Sequence, residues 1–190
     1  MNPGKSSMAT KDPNSVSFTD IAIIGMSGRF PGASTLEQFW RNLCNGVESI
    51  STFTQDSAAP NLAVTGGRLE GADLFDASFF GFNPREAEIT DPQHRLMLEC
   101  AWAALESAGY DPDRYTGSIG VFVGASPGWY GIRLFSNPNV VEALGKMQVM
   151  VGTDDHFLAT RISYKLNLRG PSMSLKTACS TSLVTTHLAC

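Results

Sequence analysis

Ser172-Met-Ser-Leu-Lys176-Thr177-Ala-Cys179-Ser-Thr-Ser-Leu183 is the stretch on which the reading of the fold turns. Ser172 to Lys176 suits a short strand, and from Ser180 onward the pattern is helical. Between them, small residues flank Cys179 on both sides and permit a sharp bend without steric clash. Strand, tight turn and helix in that order form one unit of an α/β layered fold.

The same arrangement resembles a nucleophile elbow, in which the reactive atom sits at a strand-to-helix turn. A helix N-terminus presents unpaired N–H groups and a partial positive charge. Both favour an anionic sulfur, the reactive form of cysteine. They also set a backbone N–H where an oxyanion would develop. The spacing by itself does not settle between a reactive thiol and a structural cysteine.

A cysteine nucleophile needs a base within about 3 Å. His187 lies eight residues further along the same helix. At a rise of 1.5 Å per residue that is ~12 Å away, so a Cys179–His187 dyad is excluded. His94 falls in the first turn of another helix, where hydrogen bonding to neighbours is the expected role. His156 lies in the polar turn Thr153-Asp-Asp-His156, which suits a solvated or interface position.

Outward from this stretch, strands and helices alternate. Asp20-Ile-Ala-Ile-Ile-Gly25 reads as a buried strand, followed by a Gly/Pro loop to Gly32. Ser34-Thr-Leu-Glu37 reads as a capping box for a helix whose apolar face is Leu36, Phe39, Trp40 and Leu43, with Gly46 as its stop. Residues 51 to 71 read as a polar surface loop. Phe75, Phe79, Phe80 and Phe82 read as a loop anchored in the core. Thr90-Asp-Pro-Gln93 starts a helix that is apolar nearly all round to Ala108 and ends at Gly109, which predicts burial between layers. Ile119 to Val123 reads as a strand, 126 to 139 as a long ordered loop, and Phe157 to Leu166 as a helix.

Composition excludes several function classes. A net charge of −4 without a Lys/Arg cluster gives no footprint for nucleic acid. No run approaches the ~20 apolar residues of a membrane span. Residues 1 to 19 are polar, lack a secretory apolar core, and read as a flexible leader or linker. The four cysteines contain no CxxC pair, so zinc and redox motifs are unsupported. Cys44, Cys100 and Cys190 read as buried free thiols of a reducing, cytoplasmic compartment. Gly25, Gly28 and Gly32 do not have the G-x-G-x-x-G spacing of a dinucleotide loop, and no Walker A sequence is present.

Eight blocks follow one another along the chain. They are Asp20-Ile-Ala-Ile-Ile-Gly-Met-Ser-Gly-Arg-Phe-Pro-Gly32, Leu74-Phe-Asp-Ala-Ser-Phe-Phe-Gly81, Asn83-Pro-Arg-Glu-Ala87 and Asp91-Pro-Gln-His-Arg-Leu96. Then come Glu106-Ser-Ala-Gly-Tyr110, Phe157-Leu-Ala-Thr-Arg161, Tyr164-Lys-Leu-Asn-Leu-Arg-Gly-Pro171 and Thr177-Ala-Cys-Ser-Thr-Ser-Leu183. In this order they resemble the β-ketoacyl synthase (ketosynthase) domain of modular type I polyketide synthases, over residues 20 to 190. The resemblance implies the N-terminal half of a thiolase-like α/β fold and a homodimer formed largely through residues 145 to 176. It implies Cys179 as the nucleophile that accepts an acyl chain from the phosphopantetheine thioester of an acyl carrier protein. Malonyl-carrier protein is then decarboxylated and condensed with that acyl group in a Claisen reaction. No cofactor is expected to bind directly. The partners expected are acyl carrier protein and neighbouring synthase domains.

Two departures from the family stand out. Lys176 occupies a position where Asp or Gln is common. Pointing inward, it would favour the thiolate; pointing outward from the last strand residue, it would be solvated, which is the orientation expected here. The family's two catalytic histidines lie C-terminal to the cysteine, and this sequence ends at Cys190. The 190 residues alone are therefore expected not to condense, and to leave a large apolar surface uncovered. A non-catalytic homologue serving as a dimerising interaction module is the alternative reading. A cysteine hydrolase needs a base that the sequence does not supply.

Overall fold

Leu98 is completely buried, and the core is assembled around it. The computed structural model describes residues 20–54, 63–126 and 128–190. Leu98 belongs to helix α3 (Pro92–Ala108), whose start and stop follow from local chemistry. The Asp91 carboxylate accepts from the Gln93 N–H, and Pro92 sits where a missing N–H does no harm. Gly109 ends the helix in the left-handed conformation, at φ 75°.

Strands β3 (Val121–Val123) and β4 (Ser172–Ser174) pair in parallel, Val121 with Ser172 and Val123 with Ser174. Helix α7 (Leu158–Lys165) packs against both strands and against α3. Its Leu158, Ala159 and Ile162 meet Leu98, Val123, Leu166, Phe80 and Phe82 in one apolar cluster. The aromatic loop is anchored as expected: Phe75 stacks on Phe80 at 5.4 Å and meets Phe82 edge-on at 5.3 Å. Phe79 is the exception; it is exposed, with its ring edge-on to Trp102.

Several expectations are corrected. Asp20 to Gly25 forms no strand, and Ile21, Ile23 and Ile24 are 63%, 81% and 61% exposed. A strand needs a ladder partner, and no strand ladder among the described residues includes this segment. The segment instead lies on α3 at Gly25, where a Cβ would come 2.6 Å from Ala104 O. Residues 51 to 71 are not all loop. Strands β1 (Ser51–Thr54) and β2 (Ala63–Gly66) form an antiparallel pair in which the Thr52 and Thr65 hydroxyls meet at 3.2 Å. Exposed threonines hid the strand, because no apolar alternation marks it.

Helix α1 (Leu36–Cys44) is capped by Thr35, which accepts from Gln38 N–H, one residue later than the capping box expected at Ser34. Both the Ser34 N–H and its hydroxyl donate to Gln38 Oε1, so the glutamine rather than Glu37 closes the box. The apolar face of α1 is only half covered, with Trp40 and Leu43 exposed. Helix α2 (Pro84–Ile89) follows the aromatic loop and is capped by Asn83. The expected loop at 126 to 139 contains helix α4 (Trp129–Phe135) and the start of α5 (Pro138–Leu144); Pro127 lies outside the described residues. Gly131 misled the reading: it marks close packing of α4 on α6 (Lys146–Thr153), where a Cβ would stand 3.0 Å from Thr153 Oγ1.

Helix α3 is not buried on all sides. Among its residues only His94 and Leu98 are fully covered. Its other flank opens onto a cavity of about 650 Å³ lined by Ile24, Met97, Cys100, Ala104 and Tyr115. Cys44 and Cys190 are exposed and Cys100 half-buried, against the expectation of buried thiols, because Cys44 and Cys190 fall at open helix ends. The leader expected at residues 1 to 19 lies outside the described residues.

Candidate active site

The Leu175 N–H donates to Val123 O at 2.9 Å, which prolongs the β3–β4 pairing by one bond. The chain then bends through a 3-10 turn, Ala178–Ser180, and enters helix α8 (Thr181–Ala189). Strand, turn and helix are therefore present in the expected order, and Cys179 is the middle residue of the turn, exposed to solvent. Ala178 takes φ 54°, a left-handed conformation that a non-glycine residue adopts at a cost of roughly 1–2 kcal/mol.

Local hydrogen bonds hold this bend. The Thr177 N–H donates to Thr181 Oγ1 at 2.9 Å, and that hydroxyl donates to Ala178 O at 2.8 Å. Ser180 Oγ donates to Thr177 O at 2.8 Å. The hydroxyl residues around Cys179 thus do more than leave room; they close the turn. Their spacing, Thr-x-x-Ser-Thr, is the signal that sequence reading left unused. Gly124 is the second requirement. A Cβ there would stand 2.1 Å from Thr181 Cγ2 and 2.6 Å from Leu175 O, so only glycine lets α8 start this close to the end of β3.

Cys179 opens onto a groove of about 790 Å³ whose lining includes Met97, Phe122, Ala125, Lys176 and Thr185. The mainly apolar wall suits a hydrocarbon chain attached to the sulfur. No histidine lines it. His187 is exposed on α8. His156 is 83% exposed, with Nδ1 against Asp154 Oδ1. His94 departs from expectation: its side chain is completely buried, and neither ring nitrogen has a hydrogen-bond partner among the described residues. Burial, aided by the Arg161 guanidinium, holds its imidazole below the usual histidine value, while Asp91 and Asp155 oppose the shift.

Lys176 is half exposed, as expected of a residue pointing outward from the end of the strand, but it is not without a partner. Its ammonium pairs with Oδ2 of buried Asp155 at 2.5 Å. Nothing in the spacing of 155 and 176 announces this pair, which depends on the β4 end meeting the turn before α7. Arg161 is a further polar residue that the sequence did not single out; it donates to Thr90 Oγ1 at 3.0 Å and to Val151 O. Among the described residues, no three His, Cys, Asp or Glu side chains gather as a metal set, and no helix is long and apolar enough to cross a membrane.

Comparison with known proteins identifies the family and the fold. The family described as "Beta-ketoacyl synthase, N-terminal domain" matches residues 18–190. A phenolphthiocerol/phthiocerol polyketide synthase polypeptide of Mycobacterium tuberculosis is 47% identical over 188 residues, which cover 90% of this chain and 13% of that protein. Polyketide synthase GfsE of Streptomyces halstedii is 42% identical over 185 residues, 89% of this chain and 5% of that protein. Among solved structures, the ketosynthase from module 6 of the bacillaene synthase of Bacillus subtilis 168 superposes with a TM-score of 0.73 at 36% identity, covering 88% of this chain and 28% of that one. The oxazolomycin ketosynthase domain of Streptomyces albus JA3453 gives the same TM-score and identity, with 31% of its chain covered. The chain thus spans a minor part of each relative.

Proposed function

This chain belongs to the β-ketoacyl synthase family, with the N-terminal half of the thiolase-like α/β fold, and from that premise we propose that Cys179 is the acyl-accepting nucleophile of a polyketide synthase ketosynthase. The observation that carries the reading is the exposed thiol at the strand-to-helix turn, opening onto an apolar groove. The Cys179 thiolate attacks the carbonyl of an acyl group carried as a thioester on the phosphopantetheine of an acyl carrier protein. The tetrahedral intermediate collapses with loss of the pantetheine thiolate, leaving the acyl group on the sulfur. Malonyl-carrier protein then loses carbon dioxide, and the resulting carbanion attacks the acyl thioester and releases the Cys179 thiolate.

The condensing half-reaction needs a group to assist decarboxylation, and no histidine of the described residues reaches the groove. The 190 residues by themselves therefore accept an acyl group at most and do not condense. Homodimerisation through residues 145 to 176 is supported by the exposure of Met147 at 68% and Tyr164 at 82%. Acyl carrier protein, neighbouring synthase domains and a cytoplasmic location complete the reading.

The test is acyl loading of the full polypeptide carrying these residues, using an acyl-pantetheine thioester and peptide mass mapping. The acyl mass is expected on the peptide containing Cys179 and is expected to vanish in Cys179→Ala. Loading that persists in Cys179→Ala, or that never occurs in the native protein, overturns the assignment.

A further inference from the structure

Lys176 stands three residues ahead of Cys179 and lines the same groove. Its partner Asp155 opens the 3-10 turn Asp155–Phe157 that leads into α7. The Asp155 side chain is 7% exposed, and its second oxygen lies 3.6 Å from Nε2 of the fully buried His94 on α3. The ion pair therefore joins the entrance of the nucleophile turn to the interior of the molecule.

The turn has reason to need such an anchor. Residues 176 to 180 are all exposed, and Ala178 carries a strained φ. The hydrogen bonds of Thr177, Ser180 and Thr181 lie within the turn, so they fix its shape but not its position. Position comes from Leu175 on Val123, from Thr181 against Gly124, and from Lys176 on Asp155. The ammonium does not act as an isolated cation. Asp155 faces it directly, Asp154 and His156 belong to the same connecting segment, and the Lys176 charge is felt at Asp154.

We propose that the Lys176–Asp155 ion pair is a positioning device, holding the Cys179 turn against the groove in which acyl transfer takes place, and that it governs the alignment of the sulfur rather than its ionisation. The inference rests on the reading of Cys179 as the acyl acceptor. Lys176 and Asp155 are positioning residues that do not touch the reacting atoms.

The experiment measures two rates on the full polypeptide for Lys176→Gln, Lys176→Arg, Asp155→Asn and the Lys176→Gln/Asp155→Asn pair. One is acyl loading from an acyl-pantetheine thioester; the other is iodoacetamide alkylation of Cys179 as a function of pH. Lys176→Gln and Asp155→Asn are each expected to slow loading about tenfold or more, the scale of a reacting group moved by a fraction of an ångström. The double variant, which leaves no buried charge unpaired and so keeps the fold, is expected to be no slower than either single one. Lys176→Arg is expected to restore loading to within about threefold, since it preserves the charge and its donors. The alkylation pH profile is expected to stay unchanged throughout. Normal loading in the folded double variant overturns the proposal, as does a pH profile that moves with the charge, or failure of arginine to rescue. Cys179→Ala separates the two claims: if it still loads, the assignment of the nucleophile fails; if it does not load while Lys176→Gln and Asp155→Asn load at the native rate, only this inference fails.

Discussion

Nε2 of His94 lies 3.6 Å from Oδ1 of Asp155, with both side chains buried and neither atom hydrogen-bonded among the described residues. At that separation the charge of the carboxylate is felt but no hydrogen bond forms. Burial, and then the nearby Arg161 guanidinium, lower the imidazole below the usual histidine value against the pull of the two aspartates.

This sets a pH dependence of stability. The folded-state value of His94 is lowered, so the unfolded chain binds the proton first. Stability is fully present above the unfolded value of about 6.5 and falls as pH drops through it, until the lower folded value is passed. The largest slope for one such group is about 1.4 kcal/mol per pH unit. Urea midpoints measured between about pH 7 and 5 should therefore fall for the native protein and fall less steeply for His94→Gln. Equal slopes in the two proteins count against the assignment.

Gly124→Ala is expected to be disruptive out of proportion to its size. The added methyl has no free space, since Thr181 Cγ2 and Leu175 O stand at 2.1 and 2.6 Å from its ideal position. Overpacking of this kind costs roughly 1–3 kcal/mol. The start of α8 must move, so acyl loading of Cys179 should fall more steeply than thermal stability. Unchanged loading kinetics in a folded Gly124→Ala protein contradict this account of the turn.

Ala178 gives an opposite pair of outcomes. At φ 54° a glycine is accepted without steric strain, whereas a β-branched side chain is an outlier. Ala178→Gly should leave the melting temperature within a few degrees of the native value, and Ala178→Val should lower stability by more than about 1 kcal/mol. Calorimetry of the two variants decides; a more stable valine variant refutes the left-handed geometry.

Leu98→Ala tests the core. The side chain is completely buried within the cluster formed by Val123, Leu158 and Ile162. Its truncation should cost about 2–5 kcal/mol, depending on how far the neighbours relax. A loss under about 1 kcal/mol by denaturant titration would falsify the placement of α3 at the centre of the fold.

Much of this was legible in the chain itself. Asp91-Pro92 and Gly109 mark the ends of α3 because capping chemistry is local. The strand-turn-helix around Cys179 is equally local, and the collinear blocks supply the rest of the fold. What stayed hidden depends on contacts between distant residues. Gly131 read as a loop signal but is a place where two helices approach too closely for a side chain. Thr52 and Thr65 read as loop because their pairing leaves both exposed. Ile21, Ile23 and Ile24 read as buried because burial is set by a neighbour, not by the segment's own apolarity. The candidate site divides the same way: the turn that carries Cys179 was visible, and Asp155, brought to Lys176 only by the tertiary fold, was not.

The hydrogen bonds that close the Cys179 turn join residues only three or four positions apart. Closing so short a loop loses little chain entropy and takes far less time than pairing distant strands. The bend should therefore form early as the chain folds, while its aim is fixed late, when β4 finds β3 and Lys176 finds Asp155. The Cys179 turn acquires its shape from its neighbours in sequence and its direction from the finished molecule.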